Sequence, residues 1–354
     1  MDGRRRRRRA AAAAPRAGPA PRRGRTMTLR GAFAEGRFAV TAEIGPPRGA
    51  DAEAITRKAD LLRGWVDAAN VTDNQGAHVR MSSFAGSLLA MRAGVEPVMQ
   101  LTCRDRNRIA LQSDLLAAGA LGIPNVLLLT GDHPRFGDHP DAAPVFDLDS
   151  TQLVWAARSL RDGGTLASGR EIGARPDWLV GAVENPFAPP RRFRARRLAK
   201  KVAAGAEFVQ TQYVFDVDVF TRWLAELGDL GVTERCRVLA GVGPIRSLRV
   251  LEFLRHGVPG IHVPDQVVRR LRGVPADRVA AEGVTMCVET IQQLAELPGV
   301  AGVHLMAFGY ERGVPEILER AGVAPRPAPR PAPRPALTGS APGAVTTEGL
   351  GHAG

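Results

Sequence analysis

The sequence predicts one α/β domain, a (β/α)8 barrel with a tail at each end. Short apolar or β-branched runs alternate with Ala- and Leu-rich stretches whose apolar residues recur every three or four positions, and eight such units fill about 290 residues. Strands that are almost wholly apolar are typical of a parallel sheet covered by helices. The alternative is an open doubly wound sheet, but Gly241-Val-Gly243 lacks the third glycine and the acidic residue of a dinucleotide-binding fingerprint.

The predicted strands are apolar runs that end at a Gly, Pro or polar residue, and helical periodicity follows them at 51–64, 107–122 and 193–207, among other places. The eight strands are predicted at 38–45, 66–73, 97–103, 125–132, 178–185, 208–215, 237–244 and 302–309.

The net charge of +12 belongs to the two ends of the chain. Residues 1–26 contain ten Arg and one Asp, and residues 324–354 contain three Arg and one Glu, which leaves about +1 for the rest. We therefore expect a disordered tail and lead-in over 1–36, the barrel over 37–323 and a disordered tail over 324–354. The Arg run could be an RNA-binding, membrane-binding or targeting tag, or the start site could be Met27; the folded body itself carries no signal for nucleic acid.

Two further features bear on compartment. No stretch reaches the ~18 to 20 apolar residues of a membrane span, and no apolar segment of a signal peptide follows the Arg run. The three cysteines are odd in number and widely spaced, which favours reduced thiols over a disulfide framework or a zinc site. We expect a cytoplasmic protein.

Polar side chains gather where the predicted strands end. The carboxyl ends of the strands carry the active site in (β/α)8 barrels, and alternate strand residues point inward. The residues concerned are Thr41 with Glu43, Asn70 with Thr72, Gln100 with Thr102, Thr130 with Asp132, Asn185, and Gln210 with Gln212. The pattern predicts a functional site at that end of the barrel.

Asp132 stands in LLLTGDHPRFGDHP, where an apolar run meets a repeated Gly-Asp-His-Pro. We expect it to be the last residue of the fourth strand, held over the barrel mouth, with Pro134 ending the strand because it cannot donate to the ladder. A metal site formed by Asp132, His133, Asp138 and His139 is the alternative. No further ligand cluster completes such a set, and these residue types are common in loops.

Glu43 ends the first predicted strand and precedes a Gly-Pro-Pro turn. Apolar neighbours disfavour the charged form of a carboxyl group, which suits Glu43 to general-acid catalysis, whereas turn amides would keep Asp132 ionised. Two carboxyl groups in unlike environments can divide the roles of acid and charge stabiliser. A structural ion pair between Glu43 and Arg48 is the alternative.

Six motifs, in this order and spacing, resemble the methylenetetrahydrofolate reductase family over roughly residues 37–323. They are EIGPPR from Glu43, VTDN at 71–74, LTC at 101–103, TGDHP at 130–134, LAKKVAAGAEFVQTQ at 198–212 and AGVGPI at 240–245. The resemblance implies a (β/α)8 barrel that binds FAD and uses NADH or NADPH to reduce 5,10-methylenetetrahydrofolate to 5-methyltetrahydrofolate.

The resemblance also implies roles for individual residues. Glu43 corresponds to the general acid, and Asp132 to an aspartate that contacts the pterin and stabilises the iminium cation. Gln212 and Tyr310 correspond to substrate-binding positions. The implied cofactor-binding residues are Thr72, Gln100, Thr130, Gly131, Asp132, Asn185, Lys200 and Lys201.

Several positions depart from the family pattern, mostly on the flavin side. They are Gln100 and Asn185 in place of His, Thr130 in place of Arg, Arg194 in place of an acidic residue, Arg197 in place of Asn, and Tyr310 in place of an Arg, with Arg312 two residues on. The departures leave open an FAD-free or partner-dependent reductase, or a C1-transfer protein, acting on a related reduced pterin. A homo-oligomer or a partner subunit is possible, and a non-catalytic RNA-associated protein is the alternative from another class.

Overall fold

The computed structural model describes residues 28–258 and 260–324, so most of the expected tails over 1–36 and 324–354, namely residues 1–27 and 325–354, lies outside the described residues. Within the described part, eight parallel strands form a closed barrel in the order β1 to β8, with β8 paired to β1. The predicted fold class is therefore confirmed. The strands are β1 (Ala39–Ile44), β2 (Ala68–Val71), β3 (Pro97–Thr102), β4 (Asn125–Leu129), β5 (Leu179–Glu184), β6 (Phe208–Tyr213), β7 (Arg237–Val242) and β8 (Val300–Leu305).

Helices cover the outside of the barrel, as the three- and four-residue periodicity predicts. Several begin at a side chain that accepts a hydrogen bond from the first turn, among them Asp51, Asn107 and Asp216. The helices are α1 (Leu29–Ala34), α2 (Ala52–Leu62), α3 (Ser83–Arg92), α4 (Arg108–Ala120), α5 (Ser150–Arg158), α6 (Arg194–Ala204), α7 (Val217–Asp229), α8 (Leu248–Glu252), α9 (Asp265–Arg272), α10 (Val279–Ala295) and α11 (Val314–Arg320).

The predicted end of the fourth strand is wrong. β4 ends at Leu129, so Asp132 lies three residues beyond it, in the following loop. Gly131 has φ +89°, a left-handed conformation that takes the chain out of the extended strand. Pro134 does not end the strand either; it begins a short 3-10 turn over Pro134–Phe136.

The helix α1 closes the amino-terminal end of the barrel. Leu29 and Ala32 are fully buried against the first residues of several strands, including Ala39, Val98 and Phe208. The backbone N–H of Leu29 also donates to Glu96 at 2.9 Å. Part of the segment assigned to the lead-in before residue 37 is thus an ordered element packed on the barrel.

Cys103, Cys236 and Cys287 are buried and form no disulfide. No helix among the described residues combines the length and the apolar character that crossing a bilayer requires.

Candidate active site

A cavity of about 370 Å³ opens at the carboxyl ends of the barrel strands. The structure brings most of the sequence-predicted site residues together here. Those that line the cavity are Glu43, Gln100, Thr130, Gly131, Asp132, Asn185, Lys201 and Gln212. Three others, Thr72, Lys200 and Tyr310, are not part of its lining.

Glu43 and Asp132 face the same cavity from different environments. The Glu43 side chain at the end of β1 is only 12% exposed, and its Oε1 lies 3.6 Å from His304 Nε2. Asp132 is exposed to solvent in the loop after β4. Among the described residues no ion pair joins Glu43 to Arg48, whose side chain is exposed. One shielded and one solvated carboxyl group therefore share the site.

A buried arginine holds the loop that carries Asp132. Arg104 is 2% exposed and donates to the backbone oxygens of Asp132 and Asn74, both at 3.2 Å, and to the Asp105 carboxylate at 2.7 and 2.8 Å. Burial alone would lower the pKa of Arg104, but hydrogen bonding to Asp105 and the nearby charges of Asp73 and Asp132 raise it above its ordinary value. The guanidinium stays charged and fixes the loop.

A second buried charge supports the same wall. The Asp73 carboxylate accepts hydrogen bonds from the backbone N–H and the hydroxyl of Thr102, both at 2.9 Å, and from Arg106 at 2.8 Å. Its hydrogen-bonding capacity is largely used within the protein. Asp73 therefore positions the end of β3, and its carboxylate is not free to bind a ligand.

Four buried polar side chains form a layer beneath Glu43. Gln210 donates to Asn70 Oδ1 at 3.0 Å and to Thr41 Oγ1 at 3.1 Å, and Asn70 donates back to Gln210 Oε1 at 2.5 Å. Thr41 Oγ1 lies 2.9 Å from His304 Nδ1. Because the members satisfy one another, the layer is a rigid polar floor for the cavity.

The two lysines on α6, Lys200 and Lys201, lie in different environments. Lys201 reaches the cavity, but its Nζ donates to the backbone oxygen of Val183 at 2.6 Å and lies 3.3 Å from Glu184 Oε2. Glu184 is 3% exposed in its side chain and also binds Arg197 at 3.0 Å. Lys200 is exposed on the outer face of the helix. Glu184 thus engages both Lys201 and Arg197 of α6.

The cations that line the cavity are already engaged and do not fit the pyrophosphate of FAD. A pyrophosphate needs cationic donors or backbone N–H groups that are not already engaged. The described residues lining the cavity include four carboxylates, Glu43, Asp73, Asp132 and Glu184, and two cations, Arg104 and Lys201, both held by protein acceptors. Arg194 does not supply the missing charge, because it donates to the backbone oxygens of Ala188 and Pro186. Asp73 and Glu184 are paired with Arg106, Arg197 and Lys201, so Glu43 and Asp132 are the lining carboxylates without a Lys or Arg ion-pair partner among the described residues. These two suit a ligand that becomes cationic.

Three other predicted positions, Asn185, Thr72 and Tyr310, have different environments. Asn185 Nδ2 donates to the backbone oxygen of Gly260 at 2.7 Å, which ties the loop after β5 to the segment after β7. Thr72 is buried, and its hydroxyl has no hydrogen-bond partner among the described residues. The Tyr310 ring lies beneath the guanidinium of Arg246, 3.7 Å from the ring centre. Tyr310 therefore belongs to the rim between β7 and β8.

The second Asp-His pair lies apart from the first. Asp138 accepts from the backbone N–H of Val79 at 3.2 Å, and His133 Nδ1 accepts from the backbone N–H of Arg135 at 3.2 Å. The first contact joins two loops that are far apart in sequence, and the second is local to its own turn. Nowhere in the described ranges do three or more His, Cys, Asp or Glu side chains come together as metal ligands.

Several residues of the site were not predicted from the sequence. His304 and Glu184 lie within predicted strands, and the rule of alternate inward positions that selected Glu43 and Gln210 would have selected His304 as well. Arg104 directly follows the LTC motif, but nothing in the local sequence indicates that a charged residue there would be buried beneath the Asp132 loop.

Comparison with known proteins gives one consistent result. The sequence model of methylenetetrahydrofolate reductase matches residues 28–322. The chain is 24% identical over 245 residues to a probable methylenetetrahydrofolate reductase (NADPH) of Caenorhabditis elegans and 28% identical over 238 residues to a probable methylenetetrahydrofolate reductase (NADH) of Oryza sativa subsp. japonica. These alignments cover 68% and 65% of this chain, but only 34% and 38% of the relatives, so the chain spans little more than a third of their length.

A bacterial relative is matched over most of its length. The chain is 24% identical over 302 residues to the 5,10-methylenetetrahydrofolate reductase of Pectobacterium carotovorum subsp. carotovorum, covering 82% of this chain and 92% of that protein. A solved structure, an uncharacterised Clostridium thermocellum protein that binds two copies of 5-methyl-5,6,7,8-tetrahydrofolic acid, superposes with a TM-score of 0.59 at 13% identity. That superposition covers 84% of this chain and 96% of the other, and it supports the fold.

Proposed function

This chain belongs to the methylenetetrahydrofolate reductase family, and from that premise we propose that it reduces 5,10-methylenetetrahydrofolate to 5-methyltetrahydrofolate with NADH or NADPH as the hydride source. One observation carries the proposal: a shielded Glu43 and a solvated Asp132 line a single cavity at the barrel mouth. The names of the matched relatives, which include both NADH and NADPH, support a nicotinamide co-substrate.

The chemistry requires an acid at one nitrogen of the substrate. Glu43 donates its proton to N10 of the imidazolidine ring, the bond between N10 and the methylene carbon breaks, and N5 forms an iminium cation with that carbon. Hydride from the reduced nicotinamide then adds to the methylene carbon, which gives the N5-methyl group and the oxidised nicotinamide. The Glu43 side chain lines the cavity and is only 12% exposed, so it faces a bound substrate more than bulk water.

The iminium cation needs a negative neighbour. Asp132, held at its backbone by Arg104, supplies a carboxylate whose loop is fixed before the charge develops. Gln212 lines the same cavity with an amide that can hydrogen-bond either the pterin or the nicotinamide carboxamide. The Asp132 carboxylate suits a transition state that gains positive charge, and no step passes through FAD.

The first test replaces Glu43. We expect Glu43→Gln to slow methylene-folate reduction by about 10²- to 10⁴-fold, because the amide keeps the shape of the side chain and removes the transferable proton. The measurement is oxidation of NADH and of NADPH, followed by absorbance, with and without 5,10-methylenetetrahydrofolate.

The matched control is Glu53→Gln on α2, an exposed glutamate that is 87% accessible in its side chain and does not line the cavity. It should react at the rate of the unmodified protein. If Glu43→Gln retained more than about a tenth of that rate, the acid role would be wrong.

A further inference from the structure

His304 on β8 lies directly beneath Glu43 and is 3% exposed. Its two ring nitrogens have different neighbours: Nδ1 is 2.9 Å from Thr41 Oγ1, and Nε2 is 3.6 Å from Glu43 Oε1. A neutral imidazole carries one proton, and the hydrogen bond made by one nitrogen decides which nitrogen holds it. The contacts of Thr41 therefore determine whether His304 presents a protonated or an unprotonated Nε2 to Glu43.

The polar layer assigns the Thr41 hydroxyl as a donor to the imidazole. Thr41 Oγ1 already accepts from Gln210 Nε2, and the Gln210 amide also exchanges two hydrogen bonds with Asn70. The hydroxyl proton has two possible acceptors, His304 Nδ1 at 2.9 Å and the backbone oxygen of Val303 at 3.5 Å. The shorter contact is the better hydrogen bond. Nδ1 is then an acceptor, and the ring proton is on Nε2, facing Glu43.

We propose that His304 is a positioning residue for the general acid, an inference that rests on the proposed function. The Nε2–H group stands 3.6 Å from Glu43 Oε1, beyond ordinary hydrogen-bond distance. As Glu43 transfers its proton, the new carboxylate attracts this donor and the contact shortens. His304 therefore stabilises the transition state more than the resting enzyme, which is the condition for an effect on kcat.

Two substitutions separate the ring nitrogens. His304→Gln keeps an N–H donor near the position of Nε2, and His304→Asn keeps a polar group near Nδ1 but withdraws the donor from Glu43. We expect His304→Asn to lower kcat for methylene-folate reduction by about 10- to 100-fold with little change in KM, and His304→Gln to stay within about tenfold of the unmodified protein. Equal losses in the two variants, or a loss confined to KM, would overturn the proposal.

The same substitution in a Glu43→Gln background tests whether His304 acts through Glu43. If it does, adding His304→Asn to Glu43→Gln causes no further loss, because the carboxylate that His304 would stabilise no longer forms. A purely structural role would lower the residual rate of Glu43→Gln by the same factor as in the unmodified protein, and that result would contradict the inference.

A spectroscopic measurement decides the arrangement without substrate. In ¹⁵N-labelled protein, with the His304 signals identified by their absence in His304→Gln, we expect Nδ1 to be unprotonated and Nε2 protonated. Thr41→Val should remove this preference. A proton on Nδ1 in the unmodified protein would overturn the inference even if the reductase activity is confirmed. A chain that leaves methylene-folate unreduced but holds the proton on Nε2 would refute the proposed function while keeping this arrangement.

Discussion

Two identical tetrapeptides, Gly-Asp-His-Pro, occupy different environments only six residues apart. Asp132 of the first lines the cavity, whereas Asp138 of the second binds the backbone N–H of Val79 outside it. Gly131 adopts a left-handed φ of +89°, and Gly137 has no room for a side chain because a Cβ there would lie 1.9 Å from the backbone oxygen of Ala77. The two aspartates differ in their tertiary contacts, so the local sequence could not distinguish them.

This pair gives a prediction with an internal control. We expect Asp132→Asn to slow methylene-folate reduction by about 10²-fold, since it removes a fixed negative charge from the site where the iminium cation forms. Asp138→Asn changes the same residue in the same tetrapeptide outside the cavity and should leave the rate within about threefold. Steady-state rates of both variants measure the effect. Similar rates for the two would show that Asp132 does not meet the developing charge.

The strands and helices were the most predictable level of organisation. Apolar runs located all eight strands to within a few residues, and the inward alternation of Thr41 with Glu43 was recovered because a strand has a period of two. The end of β4 was not recovered. The predicted strand continued through Asp132, whereas the chain leaves the strand after Leu129 and turns at Gly131. Long-range ion pairs such as Glu184 with Arg197 leave no periodic signal in the sequence. The sequence therefore does not predict that Lys201 is paired with Glu184.

Close packing of α10 on the loop after β7 provides a test at the level of elements. A Cβ on Gly283 would lie 1.9 Å from the backbone oxygen of Ile245, so the helix or the loop must move to admit it. We expect Gly283→Ala to lower the free energy of unfolding by about 1 to 3 kcal/mol, measured by urea denaturation.

The control for this experiment is Gly228→Ala in α7. A Cβ there would have no neighbour within 4 Å, so alanine should stabilise the helix by about 0.5 to 1 kcal/mol. Destabilisation of the two variants by equal amounts would mean that the close approach of α10 to Ile245 is not the cause.

For the whole molecule, the repeated strand and helix pattern predicted barrel closure but not how the barrel is filled. The apolar cluster with α1 closes one end, the layer of Thr41, Asn70, Gln210 and His304 crosses the interior, and the cavity opens above it. The assembly of residues from strands far apart in sequence is the part that the sequence left undetermined. It is also the part on which the chemistry depends.

The three cysteines report on the integrity of the whole fold. Burial raises the pKa of Cys103, Cys236 and Cys287 to about 12, with Asp149 adding to the shift for Cys103 and Glu207 for Cys236. At pH 8 the native thiols should react slowly with a disulfide reagent, and all three should react rapidly in denaturant. Rapid reaction of a native thiol would place that cysteine at an exposed or frequently opened position.

The same thiols make stability depend on alkaline pH. Their ordinary pKa of 9.0 in the unfolded chain is lower than the folded value, so between about pH 9 and pH 12 the unfolded state releases protons that the folded state retains. The thiols therefore contribute a decrease in the free energy of unfolding as pH rises through this range. A Cys287→Ala variant, followed by urea denaturation at several pH values, should show a shallower decrease.

The position of α1 has a practical consequence for how the protein can be handled. Thr28 and Leu29 enter the barrel at the end opposite the cavity, and that end is sealed by Leu29 and Ala32. An affinity handle or a surface linkage joined upstream of α1 would attach at the sealed base. The cavity of a protein immobilised in that way should face the solution. Small ligands should then reach the cavity as freely as they do in the untethered protein.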